Sequence, residues 1–153
     1  MSEEPSVIDK NMCNCRNRNS CPLQNECLTP NIVYKAEIST ADTHKVYFGL
    51  CETAFKTRYA NHLKSFNNKK YASETELSKY LWELKNQNSD YSLKWSIASK
   101  NHSFRNGSTI CSLCLEEKLF IMEADPKDLL NEKSELLSKC RHRNKFLLRN
   151  FIT

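Results

Sequence analysis

Tyr34, Tyr47, Arg58, His62 and Glu117 are, by type, the groups that phosphodiester hydrolysis uses. That reaction needs an activated water, neutralisation of charge on the phosphate oxygens, and help for the departing oxygen. A phenol or imidazole can take a proton, a guanidinium can hold a phosphate, and a carboxylate can seat a divalent ion. Singly, each residue has a more ordinary reading. A strand tyrosine usually packs, a helical arginine is usually solvated, and a lone histidine usually fills a core. Their joint placement on elements that can face one another makes the set informative. A tyrosine with its ordinary pKa of ~10 needs nearby cations to act as a base near neutral pH.

A second constellation lies upstream. Cys13, Cys15, Cys21 and Cys27 stand in the segment MCNCRNRNSCPLQNECL, among Asn, Arg and Gln. The segment has no apolar periodicity, so a cross-link would have to supply its order. Four thiolates suit a tetrahedral zinc ion. The C-x-C-x5-C-x5-C spacing departs from the usual paired ligands. Two alternatives stay open: free thiols in an arm, and a mixed site that recruits Cys140 or His142.

The elements that must position these groups are legible in outline. Ile32, Tyr34, Ala36 and Ile38 alternate with Lys35 and Glu37, as a half-buried strand should. Ser39 to Thr43 is turn-forming, and Val46, Phe48 and Leu50 alternate again, so a hairpin is expected. A helix from about Thr53 to Phe66 follows, with Phe55, Tyr59, Leu63 and Phe66 as its apolar stripe and Arg58, His62 and Ser65 on a neighbouring face. Ser73 to Glu76 has the form of a capping box, opening a helix that buries Leu77, Tyr80, Leu81 and Leu84. Tyr91 to Ala98 alternates as a third strand. From Thr109 to about Ala124, Ile110, Leu113, Cys114, Phe120 and Ile121 share one helical side, and Glu117 falls in its middle while Glu116 lies on the flank. A carboxylate there is costly unless paired, protonated or metal-bound. The bland reading is a structural ion pair, and Glu116 is a rival for the metal. Asp125-Pro126 reads as the start of a short helix through Leu136 and Leu137. The expected fold is α+β: a small three-stranded antiparallel sheet flanked by helices from residue 31 to 153, preceded by a cysteine-rich arm over residues 1 to 30.

Composition narrows the chemistry. The chain has only two glycines, Gly49 and Gly107, which excludes Gly-rich phosphate loops, dinucleotide fingerprints and serine nucleophile elbows. Gly49, closing the second strand, is expected to let backbone or a phosphate approach closely. The formal net charge is +5, with Lys139, Arg141, Arg143, Lys145 and Arg149 dense near the end. This is compatible with a polyanionic partner and equally with a solvated basic face. No apolar run reaches the ~18 residues of a membrane span, and the first residues lack a signal-peptide core. An intracellular chain, in which disulfides are not expected, follows as the expectation.

The strand motifs Ile32-Val33-Tyr34 and Tyr47-Phe48-Gly49, with Arg58 and His62 four residues apart on the next helix and Glu117 within CLEEKLFI, resemble the GIY-YIG nuclease superfamily. Ile32 replaces the glycine of the first motif. Over almost the whole chain, CNC, CPL, IVYKA, YFGL, FKTRYANH, TELSKYLWELK, CSLCLEEKLFI and KCRHRNKFLL are together similar to the endonuclease domain of Penelope-like retroelements. The resemblance implies DNA nicking that primes reverse transcription, a reverse transcriptase as partner in cis or trans, and a nuclear setting. The chain would be a fragment of such an element or a stand-alone descendant. It implies Tyr34 or Tyr47, aided by His62, as proton acceptor, Arg58 on the phosphate, Glu117 on Mg²⁺ or Mn²⁺, and Asn131 in LLNEKSE as a further site residue. Lys64, Arg141, Arg143 and Lys145 are the candidate DNA contacts. The alternatives are a non-catalytic zinc module that binds nucleic acid, and a thiol redox protein built on Cys111 and Cys114.

Overall fold

The structure is a computed structural model that describes residues 12–101 and 112–131. It has the expected α+β architecture. In chain order the elements are β1 (Ile32–Ser39), β2 (His44–Cys51), α1 (Phe55–Asn67), α2 (Glu76–Asn86), β3 (Ser92–Lys100) and α3 (Ser112–Glu123), with short 3-10 turns at Arg18–Ser20 and Lys69–Tyr71. The three strands form one antiparallel sheet in the order β2-β1-β3. The hairpin turn is tied by Thr40, whose N–H donates to Thr43 O (2.9 Å) and whose Oγ1 accepts from Thr43 N (3.0 Å).

Strand alternation divides the sheet into two faces. Ile32, Tyr34, Ala36 and Ile38 of β1, with Tyr47 and Cys51 of β2, point to one side. There they meet Phe55 and Phe66 of α1, Leu77, Leu81 and Leu84 of α2, and Trp95 of β3. Val33, Phe48 and Leu50 point to the other side and meet Leu113, Cys114 and Ile121 of α3. Beyond α3 this second face carries Glu37, paired with Lys35 (3.6 Å) and His44 (3.3 Å). These partly exposed pairs contribute little to stability.

Four local expectations change. The buried side of α1 is rotated from the Leu63 stripe: His62 and Ser65 are buried with Phe55 and Phe66, and Leu63 is exposed. Positions 55, 62 and 66 share a face as well as 55, 59, 63 and 66 do. The sheet selected the face that carries the histidine. The second change concerns α2, which starts at Glu76 with Thr75 as its cap. Thr75 Oγ1 accepts from Ser78 N (3.0 Å) and Ser78 Oγ accepts from Thr75 N (3.1 Å). Ser78, not Glu76, closes the box because Ser78 Oγ also reaches the carbonyl of Ala72 (2.8 Å).

Third, Asp125-Pro126 opens a turn, not a helix. Asp125 Oδ1 accepts from Lys127 N (3.1 Å). The chain then runs alongside β2: Leu129 bridges Val46 in parallel, with Val46 N donating to Asp128 O and Leu130 N to Val46 O, both at 2.8 Å. The open edge of β2 offers unpaired backbone groups, and pairing with them outweighs the helix-start signal. Fourth, α1 starts at Phe55, not near Thr53, and ends at Asn67, one residue past the expected Phe66. The segments holding Leu136 and Leu137, Cys140 and His142, and Cys111 lie outside the described residues. Among the described residues no helix is long and apolar enough to cross a membrane.

Candidate active site and metal centre

Tyr34 enters the core from the central strand and sits directly across from Gly49 in the β1–β2 register. A Cβ on Gly49 would lie 2.4 Å from the Tyr34 ring and hydroxyl. The glycine therefore makes room for a phenol, not for backbone or phosphate as its position suggested. Lying over Gly49, the Tyr34 ring contacts Phe55, His62 and Trp95, with centroids 5.1–5.9 Å away. It is 0% exposed.

The Tyr34 hydroxyl is a hub. Arg58 Nε donates to it at 3.1 Å, and it lies 2.7 Å from His62 Nε2. Arg58 has no acceptor, so the phenol oxygen accepts from it, and the same hydroxyl pairs with His62 Nε2. Burial, with Arg58 adding to it, pushes the His62 pKa down to about 3. The imidazole is thus neutral. Burial, reinforced by Tyr47, lifts the Tyr34 phenol well above its ordinary range, and Arg58 opposes this only in part. Arg58 alone does not bring this phenol down to its ordinary range, because desolvation is the larger effect. Arg58 is half-buried and hydrogen-bonds Tyr47 as well as Tyr34; burial disfavours its charge, but the two phenols outweigh that and raise its pKa. Tyr47 packs edge-on against His62, with centroids 6.1 Å apart.

The structure therefore brings Tyr34, Tyr47, Arg58 and His62 into one network. The network borders an open cleft of about 250 Å³, lined among others by Leu50, Cys51, Glu52, Thr57, Arg58 and Asn61. Leu50 belongs to the α3 face of the sheet and Cys51 to the α1 face, so the cleft opens where the end of β2 joins the two sides. Glu117 is 4% exposed. It lies on the α3 stripe that packs on the Val33, Phe48 and Leu50 face, whereas both tyrosines point to the other, so the expected docking of Glu117 opposite the two tyrosines is not met: the sheet stands between the two faces. Glu116 is less buried. Cys51 is pushed up to about 11 by burial, against the opposing effects of the Ile32 N–H and Arg58, and stays a thiol.

Asn131 is tied to the backbone of β2. Its Oδ1 accepts from Phe48 N and its Nδ2 donates to Phe48 O, both at 2.8 Å. The side-chain amide pairs with the edge of β2 as another strand would, between Tyr47 and Gly49. Both polar atoms are committed to the backbone, so Asn131 positions the strand. Lys64 is exposed on α1 with its ammonium 4.7 Å from the Tyr71 ring centre. Arg141, Arg143 and Lys145 lie outside the described residues.

The four arm cysteines meet. Their sulfurs all lie within 4.8 Å of one another, the one such group of three or more metal-binding side chains among the described residues. Cys15 Sγ is 3.6 Å and Cys13 Sγ 3.7 Å from Cys27 Sγ. Tetrahedral zinc with Zn–S bonds of about 2.3 Å requires sulfurs about 3.8 Å apart, so the donor set fits a metal. The loop after Cys21 is shaped for a thiolate. Gln24 and Asn25 take left-handed φ of 54° and 75°. Burial raises the Cys21 thiol, but the N–H groups of Leu23 and Asn25 point at its sulfur and, with Cys13 and Cys27, bring it down to about 7. Burial and the neighbouring thiols push Cys27 up to about 12. A close set with one ready thiolate and one reluctant thiol is the arrangement that a divalent cation relieves.

Sequence reasoning missed how the arm meets the fold. Leu23 joins the core cluster of Tyr34 and Phe55. The carbonyls of Thr29 and Cys27 accept from Phe55 N (3.3 Å) and Lys56 N (2.6 Å), the first amides of α1. A signal was present: Ala54, just before the helix, has no side-chain acceptor, so the cap had to come from elsewhere. Comparison with protein-family models, with curated proteins and with solved structures gives no significant match.

Proposed function

We propose that the chain is a divalent-metal-dependent DNA endonuclease of the GIY-YIG type, with a structural zinc on its cysteine arm. The observation that supports this most is the Arg58–Tyr34–His62 network beside an open cleft. A guanidinium fixed by two phenols is a rigid phosphate clamp, and rigidity is what electrostatic stabilisation of a transition state needs. On this reading Arg58 meets the phosphate and Tyr34 locks the Arg58 side chain. Neutral His62 holds the Tyr34 hydroxyl in place. Tyr47, slightly exposed where Tyr34 is fully buried, is the phenol left to handle a proton of the attacking water. Glu117 would hold Mg²⁺ or Mn²⁺. A single carboxylate suits Mg²⁺, which keeps several waters and takes substrate phosphate oxygens as ligands. Such an ion would supply charge neutralisation at the phosphate when bound. The retroelement relationship, with a reverse transcriptase as partner and a nuclear setting, belongs to the same proposal and rests on the sequence motifs.

Plasmid nicking in Mg²⁺ tests it. Activity should require Arg58 and Glu117. A chain that binds DNA but never nicks it, whatever the divalent ion, supports the second reading, a zinc-containing nucleic-acid-binding module. Full burial of Tyr34 is the observation that keeps this alternative in view.

A further inference from the structure

We propose that metal loading of the cysteine cluster positions Arg58, because the loop that would carry the metal also caps the helix that carries the arginine. The inference rests on the zinc reading above and extends it to the active network.

A helix start leaves its first amides without intrahelical partners. A Ser, Thr, Asp or Asn at the cap usually answers one of them. In α1 the cap position is Ala54, which offers no side-chain acceptor. The amide of Thr57 bonds the Ala54 carbonyl (3.1 Å), and those of Phe55 and Lys56 are taken by Thr29 O and Cys27 O. Lys56 Nζ also donates to Asn14 Oδ1 (2.5 Å), so both ends of the cysteine loop hold this turn. Arg58 follows two residues after Lys56.

Cys27 links the two systems. Its sulfur is in the cluster and its carbonyl is in the cap, and the residue is 0% exposed. The loop is otherwise held by the Leu28 N–H to Met12 O bond (2.7 Å) and by the Glu26–Lys100 pair (2.7 Å), which is exposed and weak; apart from Leu23 and Thr29 its buried side chains are the cysteines themselves. Without a metal, four crowded thiols leave Cys27 held only by these weaker ties, and the two α1 amides lose a fixed acceptor. With a metal, the Cys27 carbonyl is fixed, and the first turn of α1 sets the reach of Arg58 to the Tyr34 hydroxyl. Cys27 and Thr29 are in this sense positioning residues.

The test uses the full chain, chelator-stripped or reconstituted with Zn²⁺ or with Co²⁺, and follows backbone amide exchange. Thiolate-to-Co²⁺ absorption reports loading. Stripping should speed exchange at Phe55 and Lys56 by roughly tenfold or more, about the size of one to two lost caps, while the central β1–β2 amides keep their protection. In stripped protein, Ala54→Asp supplies a side-chain acceptor and should restore protection at Lys56 or Thr57. Unchanged exchange at Phe55 and Lys56 on stripping, with a clear Co²⁺–thiolate band on loading, overturns the coupling and leaves the zinc reading standing. Absence of that band overturns both. If stripping unfolds the whole chain and Ala54→Asp restores nothing, the metal is a general staple and the local coupling is wrong. None of these readouts depends on cleavage, so they separate from the nuclease reading.

Discussion

The Tyr34 ring lies on the bare backbone of Gly49, so close that a Cβ there would stand 2.4 Å from its hydroxyl. The close approach lets a bulky phenol on the central strand reach His62 and Arg58. It links a strand position to a helix face, and it defines a first expectation. Gly49→Ala should destabilise the fold by about 1–3 kcal/mol, the usual cost of overpacking a core. The same substitution in a Tyr34→Leu background should cost much less, since the clashing ring atoms are gone. Denaturant unfolding of the four proteins gives the coupling. Equal costs in both backgrounds would mean that the glycine serves some other contact.

Acid should weaken the protein through His62. The group is held near 3 in the folded state, against an ordinary value of ~6.5 in the unfolded chain. Between those values the unfolded state binds the extra proton, so stability rises with pH and is lost as pH falls through the window. The slope has an upper limit of about 1.4 kcal/mol per pH unit for one group. Measured from about pH 6 to 5, above most carboxylate titrations, His62→Gln should flatten the dependence. An unchanged slope in the variant would assign the acid sensitivity to other groups.

Asn131 should behave as a structural clamp. Removing it with Asn131→Ala leaves the Phe48 N–H and C=O without their partner, at a cost of about 1–3 kcal/mol. Any fall in nicking should track the loss of folded protein or of β2 order, and should diminish at lower temperature. A variant as stable as wild type but inactive would instead place Asn131 in direct contact with substrate.

The hairpin, both flanking helices, the third strand and the pairing of Tyr34 with a helix carrying Arg58 and His62 were legible because alternation and helical spacing report which side chains are buried. What sequence could not decide was the choice between equivalent patterns. Leu63 and His62 sit one residue apart, and only the sheet against α1 reveals which turns inward. Ser73 and Thr75 both offer a cap, and the Ala72 carbonyl within reach of Ser78 selects the second. Asp125-Pro126 starts a helix in most settings, but here the open edge of β2 captures the chain at Leu129. Glycine at position 49 signalled a close approach without naming Tyr34 as the group that makes it. The four cysteines could be grouped by composition, yet their convergence depends on left-handed turns at Gln24 and Asn25, which the residue types permit without demanding.

Arg58 should resist conservative replacement. The Nε contact to the Tyr34 hydroxyl and the bond to Tyr47 need a guanidinium that presents several donors in a fixed plane. Arg58→Lys keeps the charge but not that geometry. Both Arg58→Lys and Arg58→Ala should lower nicking by about 100-fold or more, as loss of a transition-state donor typically does. DNA affinity in low salt should change little if other basic residues carry it. Full activity of Arg58→Lys would reduce the arginine to a point charge.

The central claim is that this chain cuts DNA with a divalent ion seated by Glu117. Its most direct test is conversion of supercoiled plasmid to nicked circles in Mg²⁺, comparing wild type with Glu117→Gln, both shown by circular dichroism to be folded. The account expects nicking by wild type, dependent on Mg²⁺ or Mn²⁺, and none by the variant. Equal nicking by the two proteins, or none by metal-loaded wild type on any DNA substrate, would contradict it.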